Sequence, residues 1–295
     1  MTNGHVRRTA SGVARRPPGW PVRRLIRVGA VLAALALAAC GQSEKPPYNA
    51  AATAKTIADA VAAGLPSPKV SVLATLPHSV DAWTEGLEIS DGLLYEGTGI
   101  VGRSELRELD PKSGQLVRAA KLPPGLYGEG ITVVGSLIWQ LTYQNGIALE
   151  WNRETLNAGG RVPWKGEGWG LCHNSDGELI ASDGSNELRV IDPNGAAVED
   201  TIRVRVRGQP LAGLNELDCG RDKVWANVFG TRWIVAISLG NGEVTAAVDA
   251  AELVPTELRG NPEKVLNGIA AIPGTDTFLL TGKQWPRMYR VRFGA

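Results

Sequence analysis

Glu129 is the residue whose type and surroundings in the sequence point most directly to catalysis. It lies in the segment Tyr127-Gly-Glu-Gly, where the flanking glycines leave its carboxyl group free of neighbouring side chains. A carboxyl group ringed by tryptophans is partly desolvated, which raises its pKa toward the range useful for proton transfer. We therefore predict that Glu129 is a general acid/base. The structural alternatives are a glutamate that bonds to the backbone where a strand begins, and a ligand of an ion in a channel.

Other polar and aromatic residues recur at positions that match Glu129 in the repeats described below. The equivalent residues are Glu85, Trp169, Asn215 and Asn267, and the aromatic residues nearby are Trp83, Tyr127, Tyr143, Phe229 and Trp285. An aromatic box suits an ammonium group or a flat amide, and asparagines can hold an amide or a peptide backbone. We predict that these residues bind the substrate. The alternative for the aromatic residues is an ordinary hydrophobic core.

Lys283 follows the last of these segments, in Thr-Gly-Lys-Gln-Trp-Pro from Thr281. An ammonium group at this point would stabilise negative charge that develops on an oxygen atom during a reaction. We therefore predict a catalytic role for Lys283. The alternative is a solvated lysine on a loop.

Five segments share one pattern, in which a short apolar strand is followed by a turn rich in glycine and aspartate and then by a second apolar strand. They are residues 85–99, 129–143, 169–184, 215–230 and 267–283. Their spacing is typical of propeller blades, and later apolar runs supply further strands. Because the first strand of each propeller blade lines a central channel, residues far apart in the chain meet at one mouth.

The last repeat ends without a fourth strand, and residues 69–76, KVSVLATL, have no other partner. We predict an all-β fold over residues 69–295, a five-bladed β-propeller closed by this N-terminal strand in the last blade. A solenoid with open ends is the alternative, and it would need capping repeats.

The N-terminus has the pattern of an export signal. Arginines precede an apolar run, residues 28–39, which is shorter than the about 20 residues that span a bilayer. Small residues before Cys40 are typical of lipoprotein signals, in which the cysteine carries a diacylglyceryl group. We predict a signal peptide over residues 1–39, lipidation of Cys40, a flexible tether over 40–68 that includes a short helix, and a domain anchored on the periplasmic side of a membrane. The alternative is an ordinary cleaved signal with a chance cysteine.

Composition and missing motifs narrow the function. The 31 lysines and arginines balance 30 aspartates and glutamates, without the basic stripe of a nucleic-acid-binding protein, and we expect a monomer. The sequence has no zinc-spaced Cys/His cluster, no G-x-S-x-G motif and no phosphate-binding loop, so we expect no metal and no cofactor. Relative to the repeat alignment, Cys172 and Cys219 are shifted by one residue on neighbouring blades, and side chains one residue apart on a strand point to opposite faces. An export compartment would permit a disulfide, so a disulfide and two buried free thiols are both possible.

Ten short motifs follow one another along nearly the whole domain. They are WTEGL from Trp83, YEGTG from Tyr95, YGEGIT from Tyr127, WQLTY from Trp139, GEGWGL from Gly166, SDGS from Ser182, LNELD from Leu214, VWANV from Val224, VLNGIA from Val265 and TGKQWP from Thr281. Together they resemble the glutamine cyclotransferase family of the plant and bacterial type. The resemblance implies a five-bladed propeller that converts N-terminal glutamine of peptides to pyroglutamate.

The resemblance also implies roles for individual residues. Glu129 matches the acid/base, Trp169 an aromatic pocket residue, Asn215 a substrate-positioning asparagine and Lys283 the lysine near the site. Three positions depart from the family pattern, which usually has tryptophan at Tyr143 and Phe229 and glutamine at Glu85. The departures keep a non-catalytic propeller that binds peptides or envelope proteins open as a second reading. A third is a propeller lactonase or hydrolase with a divalent ion.

Overall fold

The described part of the chain, residues 48–220 and 223–294 of a computed structural model, forms five four-stranded antiparallel sheets around a channel. It begins with helix α1 (Ala50–Ala62) and strand β1 (Lys69–Pro77). Blade 1 contains β2 (Thr84–Ser90), β3 (Leu93–Thr98), β4 (Glu105–Leu109) and β5 (Leu116–Lys121). Blade 2 contains β6 (Gly128–Val134), β7 (Leu137–Thr142), β8 (Ile147–Asn152) and β9 (Ala158–Pro163). Blade 3 contains β10 (Leu171–His173), β11 (Leu179–Ala181), β12 (Glu187–Asp192) and β13 (Ala197–Arg203).

A two-stranded ribbon, β14 (Arg205–Val206) and β15 (Gln209–Pro210), precedes the fourth blade. Blade 4 contains β16 (Leu214–Asp218), β17 (Val224–Val228), β18 (Trp233–Ile237) and β19 (Val244–Asp249), and two short 3-10 helices follow at Ala251–Leu253 and Thr256–Leu258. Blade 5 contains β20 (Leu266–Ala271), β21 (Thr277–Gly282) and β22 (Arg287–Gly294).

Strand β1 closes the ring, because it pairs antiparallel with β22 as the outermost strand of blade 5, in the sheet order β1-β22-β21-β20. The first strands of the blades, β2, β6, β10, β16 and β20, contact one another in sequence, and β20 returns to β2. The prediction of a five-bladed propeller closed by the N-terminal strand is therefore confirmed. Each first strand begins at one end of the channel, which we call the upper mouth, and ends at the lower mouth.

Local sequence explains the tight connections between strands. Between β2 and β3, for example, Asp91 and Gly92 both have positive φ, 48° and 77°. Two such residues make the turn whose twist matches a two-residue β-hairpin, and Asp-Gly is among the pairs that adopt it most readily. The hairpins of the repeats are thus encoded by turn residues, and the apolar runs on either side fill the space between blades.

Buried carboxylates join the blades across the channel. Glu216 accepts hydrogen bonds from the backbone N–H groups of Leu87, at 3.0 Å, and Ile269, at 2.8 Å. It therefore links blade 4 to blades 1 and 5. Burial raises the pKa of Glu216 well above its ordinary value, and the nearby charge of Asp218 adds to that effect.

Helix α1 packs on the propeller. Asn49 caps its first turn by accepting a hydrogen bond from Ala52 N at 3.0 Å, and Ile57 and Ala60 are buried in a cluster that includes Val206. The prediction of a flexible tether over residues 40–68 is therefore wrong for this helix, since its apolar side is covered by the domain. Residues 1–47, with the predicted signal and Cys40, lie outside the described residues.

Cys172 and Cys219 form a disulfide between blades 3 and 4, with Cα atoms 5.4 Å apart. Regular alternation along two equivalent strands would direct these side chains to opposite faces. Cys219 lies just beyond β16, which ends at Asp218, so the alternation within that strand does not set the direction of its side chain.

Candidate active site

A β-bulge recurs at the upper mouth, where the first strand of a blade meets the second. In blade 1 the register slips between Thr84 and Gly86, and in blade 2 it slips between Gly128 and Ile131. Blades 4 and 5 slip at the corresponding points, which contain Asn215 and Asn267. Bulges re-aim side chains and are frequent next to active sites. They explain why polar side chains stand here on strands that are otherwise apolar.

Glycine next to the bulge allows neighbouring first strands to approach closely. Gly130, which follows Glu129, donates its backbone N–H to the carbonyl of Trp169 in the next blade at 2.7 Å. A Cβ atom on Gly130 would lie only 2.5 Å from that carbonyl oxygen. The Glu-Gly pair therefore places a carboxyl group at the mouth while the backbone behind it closes the ring.

Glu85 is the centre of a buried hydrogen-bond network. Its Oε1 accepts from Lys283 Nζ at 2.7 Å and from the hydroxyl of Tyr127 at 2.8 Å, and its Oε2 accepts from Asn267 Nδ2 at 3.1 Å. Only 1% of Glu85 is exposed. Burial raises the pKa of Glu85, and the ammonium group of Lys283 opposes that effect most strongly.

Lys283 lies between two aromatic rings. Its Nζ is 5.6 Å from the ring centre of Trp83 and 5.7 Å from that of Phe229, distances typical of cation–π contacts. Since the ion pair with Glu85 fixes the same ammonium group, Lys283 has a defined position at the mouth. The alternative of a solvated lysine on a loop does not apply, because only 7% of the residue is exposed.

Glu129 is 5% exposed, and it stands on the bulge of blade 2, next to the bulge of blade 1 that carries Glu85. Burial raises the pKa of Glu129 well above its ordinary value, and the negative charge of Glu85 raises it further, whereas Lys283 lowers it. A carboxyl group in this state keeps its proton to a higher pH than a solvated glutamate does, which is what a general acid requires.

Five partly exposed aromatic residues surround this polar centre: Trp83, Tyr127, Tyr143, Trp169 and Phe229. The rings of Trp169 and Phe229 meet edge to face with centres 5.4 Å apart, and those of Tyr127 and Tyr143 are 6.0 Å apart. Partial exposure distinguishes these residues from core aromatics. They form the walls of a cup whose base is Glu129, Glu85 and Lys283.

The Ser-Asp-Gly-Ser segment from Ser182 supports the Trp169 wall. Gly184 has φ of +77°, and a Cβ atom there would lie 2.7 Å from the Trp169 ring. Ser182 Oγ accepts from Gly170 N at 2.8 Å and donates to the carbonyl of Asn215 at 2.6 Å. A short turn motif thus sets the position of the aromatic wall and of Asn215 together.

Asn215 is 2% exposed, and no other described residue makes a hydrogen bond with its side-chain amide. Such a group is free to bond a ligand, and it would favour one because a buried polar group without a partner is costly. It lies on the bulge of blade 4, at the same level as Glu129 in blade 2.

Two predicted substrate-binding residues have other roles. Trp285 is 0% exposed within a hydrophobic cluster, and its indole N–H donates to the carbonyl of Lys264 at 3.0 Å. It is therefore a core residue and does not line the cup. Asn267 is also fully buried and donates to Glu85 and to the carbonyl of Thr84, so it positions the carboxylate from beneath.

Tyr48, which falls within the predicted tether, is a further residue that shapes the cup. Its hydroxyl donates to the carbonyl of Phe229 at 2.6 Å, and the two ring centres are 6.2 Å apart. Tyr48 therefore supports the Phe229 wall from outside. Nothing in the repeats could identify it, because it belongs to no blade.

Within residues 48–220 and 223–294, no group of three or more His, Cys, Asp or Glu side chains is arranged to hold a metal ion. In the same part of the chain no helix has the length and apolarity needed to cross a membrane.

Comparisons with known proteins agree with the geometry of the mouth. A family described as "Glutamine cyclotransferase" matches residues 45–293. The chain is 32% identical to the Arabidopsis thaliana protein named glutaminyl-peptide cyclotransferase over 231 residues, which cover 76% of this chain and 71% of that protein. It is also similar to the crystal structure of Myxococcus xanthus glutaminyl cyclase, with a TM-score of 0.73 and 34% identity, over 78% of this chain and 98% of that one.

Proposed function

The chain belongs to the glutamine cyclotransferase family, and we propose that it converts the N-terminal glutamine of peptides or proteins to pyroglutamate with release of ammonia. The α-amino nitrogen attacks the side-chain amide carbon, a new C–N bond forms, and the bond to the amide nitrogen breaks. Since both reacting groups belong to one residue, the protein needs only to fold the side chain into a reactive pose and to move protons.

Glu129 is the general acid/base in this proposal. The attacking amine must lose one proton and the leaving nitrogen must gain one, so a single carboxyl group with two oxygen atoms can serve both. The burial of Glu129, together with the raised pKa that follows from it, supports this role, because a carboxyl group that keeps its proton above the usual range of glutamate can deliver it to a leaving group.

The cup around Glu129 supports the binding of a glutamine side chain. Trp169 and Phe229 offer flat walls for the substrate, and the free amide of Asn215 can bond a primary amide or a peptide group. Lys283 stands beside Glu85, where its ammonium group would stabilise negative charge on the amide oxygen as the tetrahedral intermediate forms. Tyr143 places a hydroxyl-bearing ring at the rim.

The observation that carries the proposal is the buried carboxyl of Glu129 at the base of an aromatic cup, in a chain of this family. Glu129→Gln keeps the shape of the side chain and removes its ability to exchange a proton. We expect ammonia release from a Gln-initiated peptide to fall at least about 100-fold, as is typical when a general acid/base is lost. Glu167→Gln, at the same mouth, is the matched control, and we expect it to stay within a few-fold of wild type.

Peptide binding and ammonia release should both be measured for these variants. If Glu129→Gln releases ammonia at the wild-type rate, the assigned chemistry is wrong. If the wild type binds Gln-initiated peptides and releases no ammonia, the non-catalytic binding propeller is the better description.

We also propose that the protein is exported and held at a membrane by lipid on Cys40. The Cys172–Cys219 disulfide supports export, because disulfides persist in oxidising compartments. We expect Cys40→Ser to move the protein from the membrane fraction to the soluble fraction, and an unchanged distribution would contradict lipid anchoring.

A further inference from the structure

Two carboxyl groups at the base of the cup face each other with one cation beside them. Glu85 and Glu129 stand on the bulges of adjacent first strands, where a Cβ atom on Gly86 would lie 2.9 Å from the Cα atom of Gly130. Both glutamates are at least 95% buried, so their carboxyl groups interact with little screening by solvent. Lys283, at 2.7 Å from Glu85, is the sole ion-pair partner of either carboxyl group among the described residues. One ammonium group balances one carboxylate, and a second buried negative charge at this distance would be unbalanced.

The donors around the pair are distributed unequally. Glu85 receives hydrogen bonds from Lys283, Tyr127 and Asn267, all of which favour its ionised form. Burial and the charge of Glu85 raise the pKa of Tyr127, so that its hydroxyl stays a donor. Within the described residues, no side chain donates a hydrogen bond to Glu129, whereas a protonated Glu129 could itself donate to the carboxylate of Glu85.

The remaining charged or titratable groups that face the pair are at the rim. Glu167, ahead of blade 3, adds a negative charge near Glu129, and Tyr143, at the end of β7, feels the charges of both glutamates Glu129 and Glu167. Glu216 and Glu88 interact with Asp218 farther along the channel. None of these groups supplies a second cation.

We propose that Glu85 and Glu129 act as a carboxyl pair that holds a single proton, with the charge on Glu85 and the proton on Glu129. Glu85 is thus a positioning residue that sets the protonation of Glu129, and the inference rests on the proposed function. In the reaction the α-amino nitrogen forms a bond to the side-chain amide carbon, Glu129 gives its proton to the amide nitrogen, the bond between that nitrogen and the carbon breaks, and ammonia departs. The proton lost by the attacking amine then restores Glu129, so that the pair begins and ends with one proton.

The pair makes an opposite prediction for two substitutions. At high pH, kcat should fall as Glu129 loses its proton, with a midpoint that reports this loss. Glu85→Gln removes the neighbouring negative charge, so this midpoint should move down by at least one pH unit, and kcat above the midpoint should drop about tenfold. Tyr127→Phe removes a donor that favours the ionised form of Glu85, so the pair should hold its proton more tightly and the midpoint should rise. A purely structural effect of either change would lower kcat without moving the midpoint in opposite directions.

An infrared titration tests the same pair without relying on activity. Subtracting the spectrum of Glu129→Gln from that of the wild type leaves the C=O band of the protonated Glu129 carboxyl group. The bands of other buried acids in the channel are common to both proteins and cancel. We expect this band to disappear at lower pH in Glu85→Gln and at higher pH in Tyr127→Phe. Glu167→Gln, which removes a charge outside the pair, should move it much less.

The proposal is overturned if the Glu129 band and the kcat midpoint are unmoved in Glu85→Gln, or if both substitutions shift them in the same direction. If Glu85→Gln does not fold, Tyr127→Phe decides alone, because it removes one oxygen atom and keeps both carboxyl groups. An active Glu129→Gln variant would refute the acid/base role, whereas the infrared titration would still report whether the two carboxyl groups share a proton.

Discussion

The disulfide between Cys172 and Cys219 should account for a large part of the stability of the propeller. It closes a loop of 47 residues between blades 3 and 4. In the chain-entropy treatment, closing a loop of this length in the unfolded chain stabilises the folded state by about 4 kcal/mol. The bridge also ties β10, which has only three residues and few ladder hydrogen bonds of its own, to the segment that follows β16.

The perturbation is the double variant Cys172→Ala/Cys219→Ala, followed by urea unfolding with tryptophan fluorescence as the signal. We expect its free energy of unfolding to be about 4 kcal/mol below that of the oxidised wild type. Reduced wild type should lie close to the double variant, and the double variant itself should not respond to reductant. A difference below about 1 kcal/mol between oxidised wild type and the double variant would refute the reasoning.

Two further predictions concern stability. Burial raises the pKa of Glu88 to about 8, so its contribution to stability is fully present below about pH 4.5 and is lost as the pH rises through 8. The variant Glu88→Gln keeps an acceptor for Val133 N but cannot ionise. In the wild type the free energy of unfolding should fall between pH 5 and pH 9, and in the variant this fall should be smaller by roughly 3–5 kcal/mol. Urea titrations that show the same pH dependence for both proteins would contradict this. Ile57→Ala in helix α1 should lower the free energy of unfolding by about 2–4 kcal/mol, because this side chain is fully buried. The control Lys55→Ala, at an exposed position, should change it by less than about 0.5 kcal/mol. Equal effects of the two substitutions would show that the buried contact of Ile57 does not stabilise the domain.

Much of the fold could be predicted because the propeller repeats itself. Each blade carries its own turn residues and apolar strands, so the period is visible without knowledge of long-range contacts. The closing strand β1 could be identified because the last repeat ended one strand short. Propeller geometry then indicated that Glu129, Asn215 and Lys283 meet at one mouth, although they are far apart in sequence.

Repeat reasoning had less success with residues whose role depends on a neighbour in another element. Trp285 and Trp83 both lie near the ends of blade strands, and the sequence gives no sign that one ring is covered by the core and the other borders the cup. Tyr48 and helix α1 were assigned to a tether because short alanine-rich segments have little signature until a surface covers their apolar side.

The sequence by itself determined the number of blades, the order of their strands and the set of polar residues that the first strands carry to the upper mouth. These are local properties, since hydrophobic alternation and turn chemistry act over a few residues. The tertiary structure alone decided that Lys283 pairs with Glu85, that Glu129 lies against that pair, and that Cys172 meets Cys219. The physical reason is that β-bulges change the direction of side chains, and only packing between blades then determines which of those side chains touch.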